Sequence, residues 1–285
     1  MNIDILKELA TLDPLDDGAF KMLVSDDDEF IFLAESISGE TINDDKIIHM
    51  NGEILSTVKG KAIRADSLRG TSFALFNMEG QVKASDYPVK RHIYYTAAIY
   101  AHELEKGDKS WEKLKPVISI VIYKHKGDAP LFENATLSGS LMKTDDERKQ
   151  LTLIAVNTAK WKDAPTEELR AYLATLHHGI MTEDNKDDFA TIDVTAKAFS
   201  KVQKAVKIAC AHTKKKEYSD KGDDSMHAIL DLYITKEAKE EEQERAFDTA
   251  QKIIRMLKEN MAVADIAREC NVSMQRVESF RMAVS

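Results

Sequence analysis

Two continuous apolar runs of strand length stand out along the chain. They are Val117–Tyr123, which reads VISIVIY, and Leu151–Val156, which reads LTLIAV. Runs of this kind, rich in β-branched residues, are typical of strands that are covered on both faces. Apolar positions at helical spacing predict one helix over residues 89–106 and another that begins at Pro165. The pattern therefore favours a core in which strands and helices are mixed.

A β-hairpin is predicted over residues 61–81, ahead of the first of these helices. We expect a strand up to Asp66, a turn at Arg69-Gly70 and a second strand that ends with Glu79 and Gln81. Side-chain alternation places Glu79 and Gln81 on one face of that strand. If the register brings Asp66 to the same face, the two carboxylates converge on a site that suits Mg²⁺ or Mn²⁺.

The same residues also fit a second interpretation, a surface hairpin with solvated acids. The chain contains 49 Asp and Glu residues, so two acids at this separation occur by chance. The hairpin alone does not decide between the two interpretations.

Several segments, taken in order along the chain, narrow the choice. They are DDGAFK at 16–21, RAD at 64–66, NMEGQ at 77–81, KRHIYY at 90–95, LKPVISI at 114–120 and IARECNVS at 266–273. In sequence and order they resemble the recombination-promoting nuclease/putative transposase family. That family is a branch of the PD-(D/E)XK nucleases in which Gln replaces the Lys of the motif.

The resemblance implies a fold, an activity and a set of site residues. The fold is α/β, with a restriction-endonuclease-like core of a mixed central sheet flanked by helices, followed by a C-terminal helical extension. The activity is that of a metal-dependent DNA endonuclease, in which Asp66 and Glu79 hold one or two Mg²⁺, with Mn²⁺ as a substitute. Gln81 would orient the attacking water. Asp17 is the position that the resemblance nominates for an additional acid, and an N-cap carboxylate is its alternative role.

A function from another class is a nuclease-like protein that is catalytically weak or inactive and acts as a DNA- or protein-binding module. Two departures from the family pattern favour it. Ser67 follows Asp66 where the family usually has Val, and Gly80 stands where it usually has Met or Ile.

Composition restricts the class of protein. The formal net charge of −9 argues against a protein that coats nucleic acid, but local basic patches and a metal site remain compatible with a nuclease. There is no signal-like N-terminus and no apolar run long enough to span a membrane, so we expect a cytoplasmic protein. Cys210 and Cys270 fit no zinc spacing. His177 and His178, adjacent at a helix end, are interpreted as cations near the helix dipole rather than as joint metal ligands.

Charge and periodicity divide the chain into three predicted parts. These are a nuclease-like domain at 1–180, a charged helical segment at 181–250 and a helix-turn-helix-like segment at 251–285. If the last segment binds DNA, Gln275, Arg276 and Arg281 face the groove, although a helical hairpin that docks or dimerises is the alternative. Arg91, close after the hairpin, is a further candidate for contact with DNA phosphate. A homodimer is expected because one such site cuts one strand at a time.

Overall fold

The structure is a computed structural model of the 285-residue chain. It describes residues 5–42, 47–50, 53–54, 63–82, 88–103, 111, 114–124, 128–138 and 144–284. Parts of the predicted elements, including residues 61–62 of the hairpin and 104–106 of the following helix, lie outside these ranges.

A mixed sheet of six strands lies at the centre, in the order β1-β4-β5-β6-β8-β7. Strands β5, β6 and β8 are parallel, whereas β4 pairs antiparallel with β5 and β7 pairs antiparallel with β8. A separate antiparallel pair consists of β2 and β3. The strands are β1 (Ile48–His49), β2 (Glu53–Ile54), β3 (Ile63–Arg64), β4 (Ser67–Gly70), β5 (Leu75–Gln81), β6 (Val117–Tyr123), β7 (Phe132–Thr136) and β8 (Leu151–Asn157).

Helices flank the sheet and continue beyond it. They are α1 (Ile5–Leu9), α2 (Asp17–Leu23), α3 (Asp27–Ser38), α4 (Pro88–His102), α5 (Asp145–Lys149), α6 (Glu167–His178), α7 (Lys197–Asp220), α8 (Asp224–Lys258), α9 (Val263–Glu269) and α10 (Met274–Val284). Short 3-10 helices occupy Thr158–Asp163 and Lys186–Phe189. The start of α6 follows the predicted signal, since the Thr166 hydroxyl accepts a hydrogen bond from the Leu169 N–H.

Alternating positions of β5 face two different layers of helices. Phe76 packs edge-to-face on Phe30 of α3, and Gly80 faces Phe20 of α2. Leu75, of opposite parity, joins Ile99 of α4 in a buried cluster. Because side chains alternate across a strand, α2 and α3 cover one face of the sheet and α4 covers the other. Glu79 and Gln81 therefore point to the face that carries α4.

The turn of the central hairpin is not at Arg69-Gly70, as the sequence suggested. Strand β4 runs through Gly70, and the Thr71 hydroxyl closes the turn by accepting hydrogen bonds from the Phe73 and Ala74 N–H groups. Arg69 is buried at the end of β4, where its guanidinium donates to the Val24 and Ser25 carbonyls. Those carbonyls belong to the α2–α3 connection, so a tertiary contact keeps Arg69 in the strand.

By its internal contacts the chain forms two compact units, residues 1–230 and 231–285. Within the first, α7 packs on α2 and α6 and buries Val202, Val206 and Cys210. The predicted boundaries at residues 180 and 250 stay predictions, and truncation tests them.

The second unit has its own small core. Its buried residues are Ile253, Met256, Ile266, Ala267 and Val277, supplied by α8, α9 and α10. The Ser273 hydroxyl accepts from the Arg276 N–H, as expected for the start of the last helix. Met274, the first residue of α10, is 58% exposed and takes no part in this core.

The observed architecture confirms the predicted α/β core with a C-terminal helical extension. None of the helices in the described ranges combines the length and the apolar character that a membrane span requires.

Candidate functional site

Two backbone hydrogen bonds link Asp66, which lies in the bend between β3 and β4, with Glu79 and Gly80 of β5. The Gly80 N–H donates to Oδ2 of Asp66 at 3.0 Å, and the Asp66 N–H donates to Oε1 of Glu79 at 3.3 Å. The hairpin register, in which Ser67 pairs with Met78, makes Asp66 the neighbour of Glu79 across the strands. The two predicted acids are therefore side by side and fixed by the main chain.

Helix α2 meets these acids from the other side of the sheet edge. A Cβ atom on Gly80 would lie 2.4 Å from Cγ of Phe20, so the Phe20 ring occupies the space that a side chain at position 80 would take. The next residue, Lys21, places its ammonium 3.3 Å from Oδ1 of Asp66 and 2.6 Å from Oδ1 of Asp17. Asp17 thus reaches the site through Lys21.

The alternative role expected for Asp17, that of an N-cap, is wrong. The cap position of α2 is Asp16, which makes no side-chain capping hydrogen bond, and Asp17 is the first residue of the helix proper. Its side chain is 76% exposed. An acid at this position points to solvent beside the Asp66–Lys21 pair.

Burial dominates the electrostatics of the pair. The Glu79 side chain is 1% exposed, and its desolvation together with the negative charge of Asp66 raises the pKa of Glu79 to about 8. Desolvation also raises the pKa of Asp66, although the Gly80 N–H and Lys21 oppose the shift. For Lys21, burial acts against the charge, but Asp17 and Asp66 hold its pKa above the usual value. Both carboxyl pKa shifts favour the protonated forms, and a cation bound beside the two groups would oppose these shifts.

Arg91, the predicted phosphate contact, lies at the start of α4 on the Glu79 face. Its Nη2 is 3.9 Å from Oε2 of Glu79, and its guanidinium stacks over the Tyr95 ring at 5.0 Å. Nearly half of the Arg91 side chain, 47%, is exposed. A cation held at the edge of the site and open to solvent can contact an anionic ligand there.

Gln81 ends β5 two residues after Glu79 and is buried. Its main-chain carbonyl accepts from the Lys124 N–H, while its side-chain amide bonds to no residue that the structure describes. Because Gly80 faces Phe20 on one side of the sheet, Gln81 shares the opposite face with Glu79. The alternation expected from the sequence is present.

The donor set fits a hard divalent cation. Within the described ranges no three His, Cys, Asp or Glu side chains form a ready-made metal cluster. Mg²⁺ in phosphoryl-transfer sites commonly binds one or two carboxylates and completes its shell with water and substrate oxygens. Asp66 and Glu79 are two such carboxylates, so they could hold the ion without a third protein ligand.

Lys21 was not predicted as a site residue, and the structure brings it to Asp66. Asp17 and Lys21 are four residues apart on α2, a spacing that indicates an ion pair between them. The contact with Asp66, 45 positions further on, depends on the packing of α2 on β5 and has no local signal.

Burial disfavours the charged forms of the paired histidines at the end of α6, which argues against the sequence interpretation of them as cations. Burial and the neighbouring His178 and Lys124 lower the pKa of His177 to about 4, and burial also lowers that of His178. His177 Nδ1 lies 3.1 Å from the Thr158 hydroxyl, which donates to the Tyr123 carbonyl. This pair serves packing and hydrogen bonding at the end of β6.

The three candidate DNA contacts of the C-terminal segment lie on α10, in the second unit. Gln275 and Arg276 are exposed, and Arg281 pairs with Glu278 at 2.8 Å. The fold of that unit leaves these side chains on its surface.

No curated protein matches the chain, and no solved structure does. A family model described as PD-(D/E)XK nuclease family transposase matches residues 14–238. The match includes α2, the hairpin with its two acids, and the whole of the central sheet. The extent of this match confirms the resemblance. The mixed sheet with its flanking helices is therefore a restriction-endonuclease-like fold. The chain belongs to the PD-(D/E)XK nuclease family transposases.

Proposed function

We propose that the protein is a metal-dependent DNA endonuclease that hydrolyses phosphodiester bonds. One observation carries this proposal above the others. The Gly80 N–H donates to the Asp66 carboxylate, the Asp66 N–H donates to the Glu79 carboxylate, and both carboxylates are almost completely buried. Two neighbouring buried acids repel each other when ionised and do not stabilise the fold. Their arrangement therefore favours a functional role.

Asp66 and Glu79 are the proposed ligands of Mg²⁺, with Mn²⁺ as a substitute. The chemistry that such an ion supplies when bound is polarisation of the phosphate ester and a lowered pKa of its water. The Gly80 N–H keeps Oδ2 of Asp66 in place, which leaves Oδ1 directed towards the site. The Asp66 N–H holds Glu79 in the same way.

In the proposed reaction a water oxygen bonds to phosphorus while one phosphorus–oxygen ester bond breaks. The water loses a proton and the departing oxygen gains one, so the products are a phosphate monoester end and a free hydroxyl end. Gln81 is proposed to orient the water by hydrogen bonding. As a neutral amide it neither takes the proton nor adds positive charge.

Cations and a further acid surround this centre. Arg91 is proposed to contact a DNA phosphate, which its exposure and its distance of 3.9 Å from Glu79 support. Asp17 is proposed as an additional acid of the site, since it shares Lys21 with Asp66.

Binding of DNA by Gln275, Arg276 and Arg281 is a separate proposal for the C-terminal unit. So is a homodimer, which would place two sites on the two strands of a duplex. The proposed location is the cytoplasm. A gel-shift comparison of the full chain with an Arg276→Gln variant tests DNA binding by the C-terminal unit. Sedimentation of the chain with and without DNA tests the homodimer.

The direct test of function is conversion of supercoiled plasmid to nicked and linear forms. We expect cleavage by the wild-type chain in Mg²⁺ and in Mn²⁺, and its loss on chelation by EDTA. A filter-binding measurement on the same samples reports DNA retention. Retention without cleavage in either ion would support the alternative, a nuclease-like binding module, and would overturn the proposed activity.

A further inference from the structure

The ammonium group of Lys21 lies between two carboxylates of the candidate site. Its Nζ is 2.6 Å from Oδ1 of Asp17 and 3.3 Å from Oδ1 of Asp66, and 24% of the side chain is exposed. The other oxygen of Asp66 is occupied by the Gly80 N–H at 3.0 Å. Lys21 therefore contacts Oδ1 of Asp66, the oxygen that does not accept the Gly80 N–H.

The packing of α2 fixes Lys21 in this position. Phe20 is fully buried, and three of its ring atoms lie within 2.9 Å of where a Cβ of Gly80 would be. The same helix packs along α7. Lys21 follows Phe20 directly, so a buried helix rather than a loop carries the cation to the strand that bears Glu79 and Gln81. Side chains on rigid elements are the ones that can be preorganised for a reaction.

The site has a chemical requirement that Gln81 does not meet. Negative charge builds up on the phosphate oxygens and on the leaving oxygen during hydrolysis, and fixed positive groups stabilise that charge. In the superfamily a Lys stands at the place of Gln81, and here an uncharged amide replaces it. Among the described residues, the cations within 4 Å of either acid are Lys21 and Arg91, of which Lys21 is the closer and the less exposed.

We propose that Lys21 supplies the positive charge at the scissile phosphate that the motif Lys supplies in related nucleases. This inference rests on the proposed endonuclease function and adds a catalytic residue to it. Lys21 stays protonated throughout and contacts a phosphate oxygen as a point charge. It neither gives nor takes a proton, and Asp17 keeps the side chain directed into the site.

A purely structural ion pair makes different predictions. Such a pair would stabilise α2, and its loss would lower the melting temperature and the metal affinity together. If Lys21 acts on the substrate and α2 does not depend on it, the loss of Lys21 removes only a positive charge beside Asp66. Its removal should therefore leave metal binding unchanged or several-fold tighter while turnover falls.

The experiment compares Lys21→Gln and the charge swap Lys21→Gln/Gln81→Lys with wild-type. Lys221→Gln is the matched control, because Lys221 pairs with Glu217 at the same i,i+4 spacing and is remote in sequence from the site. Plasmid cleavage gives turnover, calorimetry with Mn²⁺ gives metal affinity without DNA, and thermal unfolding gives the melting temperature. Lys21→Met keeps the apolar stem and, measured in the same way, replaces Lys21→Gln if that variant does not fold.

We expect Lys21→Gln to lose about 10²–10³-fold in turnover, as for removal of one preorganised electrostatic group. The swap should recover at least about tenfold of that loss, since it returns a cation to the site. Turnover of Lys21→Gln equal to that of Lys221→Gln would overturn the inference, and so would a parallel loss of metal affinity and activity. The proposed function stands in both cases, provided that the wild-type protein cleaves and Asp66→Asn does not. Absence of cleavage by the wild-type protein removes the function and this inference together.

Discussion

Phe20 takes the place of a side chain at Gly80. A Cβ at position 80 would lie 2.4 Å from Cγ of Phe20, a distance that requires the ring or the strand to shift. The Phe20 ring thus fills the space that the family's usual Met or Ile would need at position 80. The Gly80 N–H still donates to the carboxylate of Asp66.

Gly80→Ala should destabilise the protein by about 1–3 kcal/mol, as overpacking of a close-packed core does. The control is Gly70→Ala, at a strand glycine whose added Cβ would lie 3.4 Å from its nearest neighbour, Sδ of Met50. That variant should be neutral or slightly stabilising, since neither glycine has a positive φ. Urea denaturation of both variants checks the difference. Equal free energies of unfolding for the two variants would mean that the Phe20 ring leaves room for a Cβ at position 80.

The raised pKa of Glu79 predicts a pH-dependent stability. Because burial and Asp66 raise this pKa from 4.5 to about 8, the folded protein binds more protons than the unfolded chain between those values. The free energy of unfolding should therefore fall as pH rises through this range in the absence of metal. Asp66, whose pKa is also raised, acts in the same direction.

Glu79→Gln should weaken this pH dependence and should be the more stable protein at the alkaline end. Denaturant unfolding in EDTA from about pH 5 to about pH 8 measures the effect. Glu183→Gln is the control, because its parent side chain is 89% exposed and should not alter the slope. Identical slopes for wild-type and Glu79→Gln would show that Glu79 ionises freely in the folded state.

Substitutions at Gln81 test whether this residue positions the water. Gln81→Ala should reduce turnover by the equivalent of a few kcal/mol at most, with metal affinity nearly unchanged. Gln81→Lys should retain or increase activity and should change its pH dependence, because it introduces an ionisable group. Cleavage rates over a pH series measure both effects. A folded but inactive Gln81→Lys beside an active Gln81→Ala would place the side chain away from the metal.

The extent of the core is tested by truncation. Gln203 of α7 donates to the Thr175 hydroxyl at 2.9 Å and accepts from the Met181 N–H at 2.8 Å. Burial of Val202 and Val206 adds about 1.5–3 kcal/mol each, a large fraction of a domain's total stability. We therefore expect residues 1–230 to fold alone and residues 1–179 to be unfolded or insoluble. Circular dichroism and thermal melts of both fragments decide. A stable 1–179 fragment would instead confirm the boundary predicted at residue 180.

The elements that the sequence predicted well are those whose pattern is local. The apolar run of β6 coincides with the strand, Val117–Tyr123, because both of its faces are covered. Strand β7 was not predicted, since it lies at the sheet edge with most of its side chains exposed and carries no alternation.

In the candidate site, too, some residues had a local sequence signal and others did not. The hairpin motif and the period of two indicated Asp66, Glu79 and Gln81, of which Glu79 and Gln81 lie on β5 and Asp66 lies in the bend that precedes β4. The role of Lys21 beside Asp66, and the continuation of β4 through Arg69, depend on how the α2–α3 region packs on the sheet. Contacts between residues more than forty positions apart leave no periodic signal in a single sequence.

Asp66 and Glu79 are proposed to form the metal site of an endonuclease. The most direct measurement is plasmid cleavage in Mg²⁺ by Asp66→Asn and Glu79→Gln, which remove charge while keeping side-chain shape. Glu183→Gln is the control for the loss of one negative charge at an exposed position. Both site variants should lose cleavage by at least about 10²-fold and also lose Mn²⁺ binding, with melting temperatures at or above that of wild-type for Glu79→Gln. Cleavage by both site variants at the rate of Glu183→Gln would show that these two acids do not form the metal site.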